Sequence, residues 1–240
     1  MDVNGQGPYV RAIRKALSNE RLDAYGLGRT DDQKIANYLW NLALCESLYP
    51  ALNGLEIVFR NAVFDAGTQV FRGMPTRDAP CWLDANPSLF DTDHEQSVIA
   101  AKQRLQERGR GLEPGRLVAE LTFGFWTSLF EVRYERNRVL WPRLFGAQLL
   151  DASAPRSMRS RKQLSPLLNR VRHLRNRVFH HEPIWHWGNL VQQHALALDL
   201  ISWFSPALRS TIEPADRFRQ VHAAGATPFL RRVRSLTMAA

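Results

Sequence analysis

Apolar residues recur at helical spacing along most of the 240-residue chain, and no segment alternates apolar and polar residues as a half-buried strand does. That period restricts the fold to helices packed on helices. A short helix is predicted over 9–17. Thr30-Asp31-Asp32-Gln33 forms a capping box, and the helix it opens puts Ile35, Leu39, Leu42 and Leu48 on one face up to a break at Pro50. A second long helix follows through Leu55, Phe59 and Val63. Residues 73–91 hold three prolines and read as a loop. Thr92-x-x-Glu95 is a second capping box, opening a helix that ends by 109–111, and Pro114 sits in the first turn of a helix running through Phe130. Trp141-Pro142 marks a break. Ser165-Pro166 begins a helix that Pro183 ends, because the residue before a proline avoids the α region. A last amphipathic helix covers 188–204. The expectation is one all-α domain over 1–222, followed by a basic, Ala-rich and mobile tail at 223–240.

Two cysteines, Cys45 and Cys81, make neither a disulfide framework nor a ligand cluster, which favours a reducing cytoplasm. No secretory signal is visible at the start and no apolar stretch reads as long enough to span a bilayer, so no membrane partner is expected. The net charge is +9, and arginine supplies 28 of the 32 basic residues. Their placement matters more than their number. From Ala152 to His181 there is no Asp or Glu, while Arg156, Arg159, Arg161, Lys162, Arg170, Arg172, Arg175 and Arg177 all fall there. Such a run is often just a solvated face. This one leads into a histidine pair, which points to a polyanion partner.

The segment at 174–185 reads LRNRVFHHEPIW. It joins a permanent cation, Arg175, to an amide, Asn176, and to a side chain that titrates near neutrality, His180. Arginine binds and neutralises a phosphate, and histidine moves a proton. Together they are the tools for cleaving a phosphodiester without a metal. Asn176 and His180 are four apart and share a helix face. Arg175 and His180 are five apart, about 140° around the helix and about 7.5 Å along it. His181 and Glu182 are candidate supporting groups, with pairing to each other or to an arginine as the structural alternative. An echo of the motif stands at 59–65, FRNAVFD, with Asp65 where the second copy has His180. It makes Arg60 and Asn61 further supporting candidates. No H-E-x-x-H, Walker loop, G-x-G-x-x-G or G-x-S-x-G is present, so no metal site and no cofactor is expected.

R-N-x-x-x-H at 175–180 resembles the R-x4-6-H signature of HEPN ribonucleases. The longer run RNRVFHHEPIW, with ELTFGFWTSLF at 120–130, VLWPRLFG at 139–146 and the E-x-x-x-R-N element from Glu56 to Asn61, resembles the Abi-like (abortive infection) proteins of bacteria in that superfamily. The resemblance covers roughly residues 30 to 205. It implies a HEPN-like helical bundle with additional helices, a homodimer with a shared site, and RNA cleavage in phage defence or as a toxin with a protein or RNA antitoxin.

The expected function is therefore a metal-independent endoribonuclease in the cytoplasm that leaves 2′,3′-cyclic phosphate ends. Arg175, His180 and Asn176 form the catalytic set, and Arg156, Arg159, Arg161, Arg170, Arg172 and Arg177 hold the RNA backbone. The alternative is a non-catalytic RNA-binding or protein-interaction module in which R-N-x-x-x-H only holds helices together.

Overall fold

The computed structural model describes residues 7–71, 81–85, 89–136, 138 and 140–239. Among them there is no strand, and the fold is all-α. In chain order the helices are α1 Pro8–Leu17, α2 Asn19–Asp23, α3 Asp31–Val70, α4 Trp82–Ala85, α5 Thr92–Glu107, α6 Pro114–Glu120, α7 Phe123–Ser128, α8 Arg133–Arg136, α9 Arg143–Gly146, α10 Arg161–Phe179, α11 Leu190–Phe204, α12 Pro206–Ile212, α13 Phe218–Ala224 and α14 Thr227–Ala239. The chain divides into two compact units. One comprises Met1–Pro50, Leu174–His194 and Pro214–Ala240; the other comprises Ala51–His173 and Ala195–Glu213. Helices α3, α10 and α11 each contribute residues to both.

Several predicted breaks fall elsewhere. Pro50 does not interrupt α3, although it lacks the amide hydrogen of a helix interior. Leu44, Leu48, Ala51, Leu52 and Leu55 around it are all buried, and that packing outweighs the lost bond. Pro166 likewise lies inside α10, which begins five residues earlier. The helix expected from Pro114 through Phe130 is two helices. Leu121 is extended, and the Thr122 hydroxyl accepts from the Phe125 amide, starting α7 afresh. At α5 the cap is Asp91, whose carboxylate accepts the His94 amide, not Thr92. The Thr30 box forms as read: Gln33 N donates to the Thr30 hydroxyl and Thr30 N to the Gln33 side chain. The loop expected at 73–91 lies largely outside the described residues, and 82–85 of it is helical.

At 40 residues α3 is long and apolar enough to cross a membrane by length and composition, contrary to the expectation that no apolar stretch reaches that length, and 44% of its most apolar window is buried within the protein.

In the first unit α1 packs on α14 around Val10, Leu22, Ile35 and Val233. Val233 is fully buried, so the expected mobile tail is a packed helix over 227–239. Asp23 receives Lys34 at 2.6 Å, and Arg14 pairs with Asp31. In the second unit Phe59 is the hub, its ring meeting those of Phe123, Phe130 and Phe204 at 5.4–5.8 Å. Removing a ring buried this way costs roughly 3–5 kcal/mol. Gly67 is required by a close approach: a Cβ there would lie 2.2 Å from the Trp82 ring.

Candidate functional site at the end of α10

The last turns of α10 carry the motif, and burial sorts its residues. Leu174 and Val178 are buried, Arg175 and Arg177 half-buried, and Asn176, Phe179, His180 and His181 exposed. Phe179 is 37% exposed. Its ring lies 4.4 Å under the Arg175 guanidinium and 6.1 Å from Tyr49, itself 52% exposed.

The helix ends four residues before Pro183, so Pro183 does not set its end. His181 takes the left-handed conformation at φ 59°; its amide donates to Val178 O (3.3 Å) and the Glu182 amide to Arg177 O (2.9 Å). This pair of bonds is the Schellman turn that glycine usually completes. A histidine there satisfies the same carbonyls at a steric cost glycine would not incur. His180 keeps the regular bond from its amide to Asn176 O at 2.9 Å, one position short of the turn.

The chain beyond the turn is tied down from α3. The Asn41 side-chain carbonyl accepts the amides of Ile184 (2.8 Å) and Trp185 (3.1 Å), and its NH2 donates to the Tyr25 hydroxyl (3.4 Å). Asn37 donates to Tyr25 O at 2.9 Å, and Arg21 to His181 O at 2.6 Å. Both asparagines are buried, so these bonds satisfy groups that would otherwise be stranded. Burial pushes the Tyr25 phenol up to about 12.

The motif side chains thus divide by partner. Arg177 pairs with Glu182 and lies 5.7 Å from the Trp187 ring centre. His181 shapes the backbone. Exposed at the end of the helix is the His180 imidazole, with the Arg175–Phe179 stack in the turn before it. Arg60 and Asn61 belong to the other unit; Asn61 is exposed, and the Arg60 Nε makes no hydrogen bond among the described residues.

The basic run also divides. Arg156, in a 3-10 turn, and Arg170 are exposed, and Arg172 is half-buried. Arg159 donates to the carbonyls of Asp151 (3.2 Å) and Ala152 (3.3 Å). Arg161 binds Glu135 at 2.8 Å and Phe130 O at 2.9 Å, with its side chain 11% exposed. Among the described residues no three His, Cys, Asp or Glu side chains converge as a metal site would require.

Sequence reasoning missed Arg21, Tyr25, Asn41 and Tyr49. Asn37 and Asn41 were legible in retrospect: two amides four apart on an apolar helix face need partners. Arg21 and Tyr49 left no such signal. Compared with known proteins, the chain matches no family model, no curated protein and no solved structure.

Proposed function

We propose that the protein is a metal-independent endoribonuclease of the HEPN type. The observation that carries this reading is the division of labour at the end of α10: Arg177, His181 and Glu182 are engaged in holding the turn, while the His180 imidazole stays exposed beyond Arg175. In RNA the ribose 2′-oxygen attacks the adjacent phosphorus and loses its proton. The new O2′–P bond forms as the P–O5′ bond breaks, and O5′ takes a proton. Holding the reacting groups together supplies much of the rate. Arg175 neutralises charge gathering on the phosphoryl oxygens. His180 carries a proton, and Asn176 orients the imidazole. DNA lacks the attacking hydroxyl.

Arg156, Arg170 and Arg172 hold the backbone by charge, without reading sequence. Arg159 and Arg161 contribute less direct contact, since their guanidinium groups already serve protein acceptors. One chain carries one R-N-x-x-x-H run, at 175–180, so a homodimer with a shared site fits the reading. The biological role is the one the family resemblance implies: cytoplasmic phage defence by abortive infection, or a toxin held by a protein or RNA antitoxin.

The stacking of Arg175 on Phe179 favours a second reading, a binding module whose arginine only braces the helix. Single-turnover cleavage separates the two. Arg175→Ala and His180→Ala each lower the rate by roughly a hundredfold or more while His180→Ala still binds RNA. Arg175→Lys recovers little, because an ammonium lacks the planar fork. Full cleavage by a folded His180→Ala protein overturns the assignment.

A further inference from the structure

Two contacts hold the exposed ring of Phe179 at the end of α10. Its own helix supplies Arg175, one turn back, whose guanidinium carbon lies 4.4 Å from the ring centre. Helix α3 supplies Tyr49, whose ring centre is 6.1 Å away with the two planes inclined at 38°. The first is a cation–π contact and the second an aromatic pair, each within its usual range. All three residues lie in the first unit. Burial does not account for the arrangement. Leu174 and Val178 supply the core side of these turns, while Phe179 and Tyr49 both stay exposed.

The stack bears on the reach of the arginine. Arg175 and His180 stand about 140° apart around the helix and about 7.5 Å apart along it. Side chains on a helix lean toward its N-terminus. An arginine following that preference would carry its charge away from His180. Stacking on residue 179 draws the guanidinium the other way, toward the turn that carries His180. A stacked guanidinium meets the ring with its face, and its N–H groups point outward in the plane, which is the edge that grips a phosphate. Tyr49 limits the swing of the ring that Arg175 rests on.

We infer that Phe179 and Tyr49 are positioning residues: Phe179 sets the reach of the Arg175 guanidinium toward a phosphate at His180, and Tyr49 backs Phe179. The inference rests on the reading of 175–180 as a cleavage site, and it gives the Arg175–Phe179 stack a task there beyond bracing the helix. Neither ring gives or takes a proton in the reaction.

Single-turnover cleavage of a defined RNA by the full chain, measured beside direct RNA binding, tests the two residues. Phe179→Leu keeps an apolar side chain but removes the π face; the rate at saturation falls roughly tenfold while the RNA dissociation constant moves by less than about twofold. Phe179→Trp offers a cation a stronger face and restores the rate. Tyr49→Leu lowers the rate by roughly threefold, and Tyr49→Phe does not. In an Arg175→Ala chain Phe179→Leu has no further effect, because the ring acts through the arginine. The spectroscopic mark is the Arg175 Cδ protons, shifted upfield by the ring in the wild type and returned to ordinary positions in Phe179→Leu. A wild type that cleaves no RNA overturns the proposed function and takes this inference with it. A wild type that cleaves, beside a folded Phe179→Leu protein that cleaves equally fast, overturns the inference alone. So do losses that multiply when Phe179→Leu is combined with Arg175→Ala, a Phe179→Trp rate no better than that of Phe179→Leu, or unshifted Arg175 protons in the wild type.

Discussion

Replacing His181 by glycine separates the two members of the histidine pair. His181 is held at φ 59°, where a side chain bearing Cβ crowds the following carbonyl at a cost of roughly 1–2 kcal/mol. Glycine removes that cost but loosens the unfolded chain, giving back about 0.4–1 kcal/mol. The two bonds of the turn, His181 N to Val178 O and Glu182 N to Arg177 O, run through backbone and survive the change. So does the bond from Arg21, which reaches the backbone carbonyl. The net expectation is a gain of about 0.5–1 kcal/mol, read in thermal unfolding as a rise of about 1–4 °C for a chain of this size. His181→Ala keeps the crowding and gains nothing. Cleavage by His181→Gly stays within a few-fold of wild type. A destabilised His181→Gly protein refutes the conformational argument. A loss of cleavage as large as that of His180→Ala refutes the assignment of chemistry to His180 alone.

Asn41→Ala strips the acceptor from the buried Ile184 amide and the part-buried Trp185 amide, and lowers the free energy of unfolding by about 2–4 kcal/mol in denaturant titration; a change near zero contradicts the anchoring role. Tyr25 and Cys45 have pKa values pushed by burial from 10.0 and 9.0 up to about 12 and about 11. Because the folded values are raised, their contribution to stability is complete below the unfolded values and lost as pH rises through the folded ones. Unfolding free energy therefore declines above about pH 9, a decline that Tyr25→Phe makes shallower towards pH 12. An equally steep decline in Tyr25→Phe shows that the phenol is not responsible.

Periodicity revealed the helices because burial of a stripe every three or four residues is what a bundle requires. The ends of those helices were less legible. Pro50 and Pro166 looked like boundaries, since a missing amide hydrogen is a local penalty, but the leucines around each add more than the penalty removes. His181 hid its role for the opposite reason: a histidine in the left-handed region is rare, so nothing in HHEP announces a helix end before Pro183. The chemical residues of the motif could be named from type and spacing, whereas their partners could not. Glu182 answers to Arg177, five residues back, and Ile184 to Asn41 on a distant helix. Such pairings depend on tertiary packing, which a linear pattern does not contain. In the basic run, composition alone made Arg156 and Arg161 equivalent, while the structure leaves one exposed and binds the other to Glu135.

The most direct measurement is the fate of a defined RNA incubated with purified protein in excess EDTA, with the termini of the products identified. The account predicts cleavage that persists in chelator, leaves 2′,3′-cyclic phosphate and 5′-hydroxyl ends, and is lost in His180→Ala. Cleavage that disappears in EDTA and returns with Mg²⁺, or products ending in 5′-phosphate, would contradict it.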